Sequence, residues 1–333
     1  MATMKQVAER AGVSISTVSH VINNTRVVSD DVRQRVLGII DEMRYIPSAV
    51  ARSLKNDKTH TIGVLVPNSS NPYFAELIRW IEEAAFQLGY NIILCNAHGG
   101  NHRQTAYLRL LMEKRIDGLV LVASGADDEQ DLLLHNPSVP IVQVERALPG
   151  LDADLILAGE EEGACDATRH LIELGHRAIA CVAGPADLPR TRERVGGFVR
   201  AMRDAGLAVA PGHIVHEAFT SAGGYIAFER LLAESQPPSA VFVTSDLMAL
   251  GGLCAASKAG VRVPGRLSVV GYDDIDGADY ASPPLTTVAP PKRDMARLAI
   301  ETLIGRIKGD DDPLRNIAFS SRLVVRASSA PLH

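Results

Sequence analysis

Residues 13–23 read VSISTVSHVIN, three serines, a threonine and a histidine set among valines and isoleucines. On a helix turning 100° per residue, Val18, Val21 and Ile22 share one stripe, while Ser16, His20 and Asn23 fall on the opposite side within about 60° of one another. One face can be buried and the other offers short polar groups. Hydroxyl, imidazole and amide groups can donate or accept at base edges, and small side chains let a helix approach closely. The bland alternative is the solvated face of a small helical bundle. Catalytic signatures are missing from the rest of the chain. There is no Gly-x-Ser-x-Gly, no P-loop, no Gly-x-Gly-x-x-Gly after a strand and no His cluster at metal-ligand spacing. No metal, cofactor or enzymatic activity is therefore expected. Glu145 and Asp273 form the only plausible acid pair for glycoside hydrolysis, which needs two carboxylates.

The elements that must position these groups can be read in order. Thr3 can cap a helix MKQVAERAG that Gly12 ends, and Ser14 begins the polar-faced helix. Ser29 and Asp30 open a third, DVRQRVLGIIDEMRY, with Val32, Val36, Ile39 and Ile40 inward. Pro47 then breaks the chain, and SAVARSLKNDKTH reads as a short helix and linker. A helix, a Gly-containing turn and a second amphipathic helix make the helix-turn-helix pattern, whose second helix enters the major groove. From His60 onward strand-like and helical runs alternate. TIGVLVP, NIILCNA, DGLVLVA, PIVQVE and LILAG form one series; AIACVAG, IVHEAF, SAVFVTS and LSVVGYDD form another. Such alternation predicts an α/β fold of parallel, doubly wound sheets in two lobes with a cleft between them.

Bulk properties agree. The 333 residues suit two or three domains. Apolar runs such as LVLVA (119–123) and AVFV (240–243) are strand-sized and far short of the roughly 18 residues a membrane span needs. The N-terminus has no apolar signal-peptide core, so a cytoplasmic protein is expected. Four scattered cysteines (Cys95, Cys165, Cys181, Cys254) read as reduced and mostly buried. The net charge of −5 divides unevenly: residues 1–60 carry nine Lys/Arg against six Asp/Glu, and the remainder 25 against 33. The basic part holds the polar-faced helix, the direction a nucleic-acid binder requires.

The segment MKQVAERAGVSISTVSHVINNTRVVSDDVRQRVLGIIDEMRYIPSAVARSLK resembles the N-terminal domain of the lac-repressor (LacI/GalR) family of bacterial transcription regulators. The match runs through VS-x-x-TVSHVIN and the Y-x-P-x-AVARSL hinge, and is closest in motif to the purine and ribose repressors. It continues through most of the chain. The resemblance implies a helix-turn-helix domain over 1–46, a hinge helix and linker over 47–60, and an effector-binding and dimerisation domain over 61–333. Within the last, one lobe takes about 61–160 and 292–320, and the other about 161–291 and 321–330. It further implies that Ile15, Ser16 and His20 face bases, Ile15 suiting a thymine methyl. Ser14, Thr17, Ser19, Asn23 and Arg26 would hold phosphates, with Thr25 unassigned. In the hinge, Leu54 would wedge a central base step, with Ala51 near the backbone and Lys55 near phosphate. Paired wedges on double-stranded operator DNA require a homodimer. No leucine-heptad tail follows residue 320, which argues against a lac-type tetramer.

The C-terminal two-thirds resembles the sugar-binding proteins of bacterial periplasms, whose clefts set aromatic faces and bidentate polar groups against a sugar at strand ends. The positions this implies are Asn71, Tyr73 and Phe74 in NSSNPYF, Glu145 and Arg146 in VER, Arg192 in RTRERVGGF, Phe219, Ser245 and Asp246 in TSDLMALG, and Asp273 in GYDD. Several departures stand out. Glu145 replaces a usual Asp, Ser245 a common Asn, Pro290 a Gln or Asp, and AGEEEG (158–163) an Asp-Asn at the lobe crossover. The expected function is a ligand-controlled regulator, a repressor, with a monosaccharide such as a pentose as effector. A purine or nucleoside is the alternative. A transport binding protein is the remaining rival, and it would have no use for residues 1–55.

Overall fold

The computed structural model describes residues 2–45, 58–97, 101–122 and 138–332, with side chains from residue 103 onward in the third stretch. The chain forms two compact units, Met1–Thr59 and His60–His333. The hinge positions Ala51, Leu54 and Lys55 lie outside the described residues.

In the first unit three helices, α1 (Met4–Ala11), α2 (Ile15–Asn23) and α3 (Asp30–Glu42), pack around Val7, Ala8, Ala11, Val18, Val21, Val36 and Tyr45. Thr3 caps α1 in a capping box with Gln6, and Gly12 closes it in the left-handed conformation at φ 64°. That glycine makes the tight turn from which α2 starts. Ser14 caps α2 by accepting from the Thr17 amide. The apolar stripe behaves as its spacing predicts: Val18 and Val21 are buried and Ile22 packs partly against them. Helix α3 stops at Glu42, short of the Tyr45 expected from sequence. Arg44 turns left-handed (φ 45°), and the Tyr45 amide bonds back to the Ile40 carbonyl, closing the helix. Tyr45 thereby belongs to the head's core rather than to a helix.

The second unit contains two six-stranded sheets of matching topology. Strands β1 (Thr61–Val66), β2 (Asn91–Asn96), β3 (Gly118–Val122), β4 (Ile141–Val144), β5 (Asp154–Leu157) and β11 (Asn316–Ala318) form the first, in the order β11-β5-β4-β3-β1-β2. Strands β6 (Ile179–Ala183), β7 (Ile214–His216), β8 (Ala240–Val243), β9 (Ser268–Tyr272), β10 (Thr286–Ala289) and β12 (Arg322–Val324) form the second, in the order β12-β10-β9-β8-β6-β7. All recorded pairs are parallel except β10–β12. Continuous apolar strands such as GLVLV suit a sheet covered on both faces. In β1, Val64 and Val66 face one layer and Leu65 the other. The chain passes between the sheets three times, after β5, after β10 and after β11.

Helices cover the faces: α4 (Pro72–Gln87), α5 (Asn101–Glu113), α6 (Glu160–Glu173), α7 (Pro189–Asp204), α8 (Ser221–Leu232), α9 (Asp246–Lys258), the single turn α10 (Asp276–Asp279) and α11 (Lys292–Ile307). Gly251 and Gly252 in ALGGLCAASKAG prove to be packing devices. A Cβ on Gly251 would stand 1.8 Å from the Ser221 carbonyl oxygen, so α8 and α9 can meet only without one. Four strands differ from the sequence expectation. The run IVHEAF reads as a strand out to Phe219, whereas β7 stops at His216, and β10 and the three-residue edge strands β11 and β12 have no counterpart in the patterning.

Candidate nucleic-acid interface and ligand cleft

The outward face of α2 is exposed at Ile15, Ser16 and Asn23 and partly exposed at Thr17, Ser19 and His20, and the flanking Ser14 and Arg26 are exposed as well. Ile15 retains 48% of its surface, an apolar group left in water at the start of the helix. The hydroxyls there are linked: Ser14 Oγ lies 2.7 Å from Ser16 Oγ and 2.8 Å from Thr17 Oγ1. These groups stand at a helix N-terminus, where amides and the helix dipole favour anions. Asn23 is turned back, its amide donating to the Ser19 carbonyl at 2.9 Å. Thr25, unassigned from sequence, has its hydroxyl 2.8 Å from His20 Nδ1. That bond orients the ring and leaves Nε2 for an outside partner. Val27 is fully exposed, which the sequence pattern does not foretell.

A cavity of about 450 Å³ lies between the two sheets of the second unit, within the size range of small-molecule sites. Equivalent strands supply equivalent groups. Glu145 directly follows β4 and Asp273 directly follows β9, the matching strand of the other sheet. Both residues adopt positive φ, 80° and 116°, where a side chain costs of order 1–3 kcal/mol, a strain that concentrates at functional sites. Likewise α4 after β1 and α7 after β6 bring Asn71 and Phe74 from one lobe and Arg190 and Arg194 from the other.

The charged groups form one network. Arg190 donates to Glu145 across the cleft, and its Nε lies 3.6 Å from Glu160 Oε1. Its guanidinium sits 4.7 Å from the Tyr73 ring centre and 5.3 Å from that of Phe74. Arg194 is fully buried. It donates to Glu160 and to the Thr244 carbonyl, pairs with Asp273 at 3.0 Å, and stacks 3.6 Å from the Tyr272 ring centre. Ser245 donates to the other Asp273 oxygen at 3.1 Å. Tyr73 donates to Glu145. Burial pushes the Glu145 carboxyl above its ordinary value, with Arg190 opposing. Burial also pushes on Glu160, but Arg194 and Arg190 overcome it and hold Glu160 below the ordinary value.

Seven of the ten cleft residues expected from sequence line this cavity: Asn71, Phe74, Glu145, Arg146, Phe219, Ser245 and Asp273. Phe219 reaches it from beyond β7 because Gly184 leaves room; a Cβ there would stand 2.2 Å from the ring. Three do not. Tyr73 is completely buried behind Glu145, so it supports the wall without being its surface. Asp246 turns inward to accept from Thr287 Oγ1 at 2.6 Å and the Ile275 amide at 3.1 Å. Burial and then Asp273 push its carboxyl well above the ordinary value. Arg192 is exposed and donates to the Asp187 carbonyl.

The arginines that reach the cleft are Arg190 and Arg194, which sequence reasoning missed. Helical spacing puts 190 and 194 on one face and 192 on another, but does not say which face meets the cleft. Glu160 was also missed as a site residue, although AGEEEG stands out as a departure. It is 4% exposed and central to the network. Asn68, Gln104, Glu193 and Thr220 complete the polar lining. Pro290, at a position where a polar ligand group is usual, is not part of it.

A helix-turn-helix head followed by a two-lobed α/β unit with a polar cleft is the architecture of ligand-responsive DNA-binding regulators. The family described as bacterial regulatory proteins, lacI family, matches residues 3–48, and the periplasmic binding protein-like domain matches residues 168–329. The HTH-type transcriptional repressor PurR of Photobacterium profundum is 43% identical over 334 residues, covering 100% of both chains. The ribose operon repressor of Escherichia coli (strain K12) is 44% identical over 330 residues, covering 99% of this chain and 100% of that one. The solved lac repressor dimer bound to operator and the anti-inducer ONPF superimposes with a TM-score of 0.89 at 26% identity, covering 99% of each chain. This chain belongs to the lacI family of bacterial regulatory proteins. It is a DNA-binding transcriptional repressor under ligand control.

Proposed function

We propose that the effector is a neutral monosaccharide, a pentose first among them, and that it alters the affinity of a homodimer for operator DNA. The paired charges around the cavity carry this reading. Glu145 with Arg190, and Asp273 with Arg194, already stand as ion pairs, with Glu160 bridging the two arginines. A hydroxyl can donate to the carboxylate and accept from the guanidinium at once, so a polyol enters such pairs without stranding either charge. Phe74 and Phe219 offer apolar faces for the C–H surface of a sugar ring. The relative named ribose operon repressor supports the class. A purine is the second reading, favoured by the same two rings and by the PurR relatives of similar identity.

On the DNA side Ile15, Ser16 and His20 read bases, while Ser14, Thr17, Ser19, Asn23 and Arg26 hold phosphates. From the hinge, Leu54 wedges a central base step in the minor groove, with Ala51 close to the backbone and Lys55 near phosphate. The chain acts in the cytoplasm, without catalysis or cofactor. Among the described residues no helix is long and apolar enough to cross a membrane. Calorimetry of the full chain against D-ribose, other pentoses and hexoses, hypoxanthine and guanine tests the ligand class. Heat of binding from a sugar and none from the purines is expected; the converse transfers the site to the purine reading.

A further inference from the structure

Lys292 opens α11 immediately after the chain leaves β10. Its side chain is 9% exposed, and an ammonium so buried must find partners for its donors. It finds three. Nζ donates to the carbonyls of Asp273 and Asp274, each at 2.8 Å, and to the Glu76 carboxylate. The two carbonyls belong to consecutive residues with positive φ, 116° and 47°, neither of them glycine. A backbone of this kind persists only where its surroundings hold it. Glu76 lies on α4 and serves both sides, since its second oxygen accepts from the Asp276 amide at 2.9 Å. Helix α11 in turn packs on α4, β3 and β4 of the first lobe, whereas Asp273 to Asp276 follow β9 of the second.

We propose that Lys292 is a positioning residue of the ligand site. Anchored on Glu76, its ammonium holds the strained Asp273–Asp274 backbone so that the Asp273 carboxylate faces Arg194, Ser245 and the cavity. Lys292 does not line the cavity; it acts through Asp273. This deepens the ligand-cleft reading and names the contact that fixes one of its carboxylates to the opposite lobe.

The test compares the full-length wild type, Lys292→Met, Asp273→Asn and the double variant, by amide hydrogen exchange without ligand and by calorimetry with D-ribose as the probe. Lys292→Met should speed exchange across residues 273–276 at least tenfold while other segments stay unchanged. It should weaken D-ribose binding at least tenfold, yet by less than twofold in the Asp273→Asn background, because its effect runs through that carboxylate. A general loss of stability would not produce that non-additivity. Should Lys292→Met fail to fold, Glu76→Gln keeps the lysine, removes its anionic anchor and should change the same quantities in the same directions. Unchanged exchange across 273–276 in the folded variant overturns the proposal, as does a loss of D-ribose affinity that adds fully to that of Asp273→Asn. If the wild type binds no D-ribose, the monosaccharide reading fails while the exchange result still decides the role of Lys292.

Discussion

The Arg194 guanidinium is fully buried, so deleting it strands the Asp273 carboxylate and leaves Glu160 with Arg190 alone. Breaking a buried pair in this way costs roughly 3–5 kcal/mol. Arg194→Met should therefore lower the stability of the second unit by about that amount and remove ligand binding even where the chain stays folded. Arg192→Ala is the control. It lies two positions away on the exposed side of α7, and surface substitutions stay within about 0.5 kcal/mol. Calorimetric binding and thermal unfolding of the two variants check the contrast. Equal effects from both would mean that α7 presents a different face to the cleft. The family resemblance points to an arginine in RTRERVGGF and places it at 192; the structure brings 190 and 194 to the cleft instead. Residue type was legible in the sequence, and side-chain direction was not.

At the scale of elements, β5 shows how a short strand is held. Asp154, at its start, is 1% exposed and accepts from Arg306 at 2.9 and 3.1 Å and from the Arg315 amide at 2.9 Å. The aspartate thus ties the end of α11 and the approach to β11 to one strand. Burial raises its carboxyl, but the bonds from Arg306 and Arg315 outweigh burial and leave it below the ordinary value. Because the folded-state value lies below the unfolded one, the stabilisation is complete above the unfolded value of about 3.9 and is lost as the pH falls through the folded value. Asp154→Asn should destabilise the unit at neutral pH and flatten its acid limb. Denaturant unfolding between about pH 2 and 7 would show this, and an acid limb identical to the wild type would deny Asp154 that role.

The same region marks where sequence patterning ends. The long apolar strands β1 to β6, β8 and β9 announce themselves by β-branched runs bounded by turns. NIA and RLV at β11 and β12 are three residues each and owe their pairing to tertiary neighbours. Phe219 lies past its strand for a related reason. Its place is set by the space at Gly184, a contact across 35 residues that no local pattern contains.

For the whole molecule the decisive relation is between the ligand cleft and the DNA-reading helix. Glu145 and Asn71 come from one lobe, and Arg190, Arg194 and Asp273 from the other. A ligand that touches both sets favours the arrangement of lobes in which all of them are in reach. It can change DNA affinity only by its differential binding to two states, typically about 1–3 kcal/mol or roughly 5–150-fold. The direct measurement is the affinity of the full chain for a duplex it has itself selected from a random library, by fluorescence anisotropy at fixed salt, with and without saturating D-ribose. A change within that range is expected for the selected duplex. D-Ribose that binds the cleft and leaves the DNA affinity unchanged would contradict the coupling of the two sites.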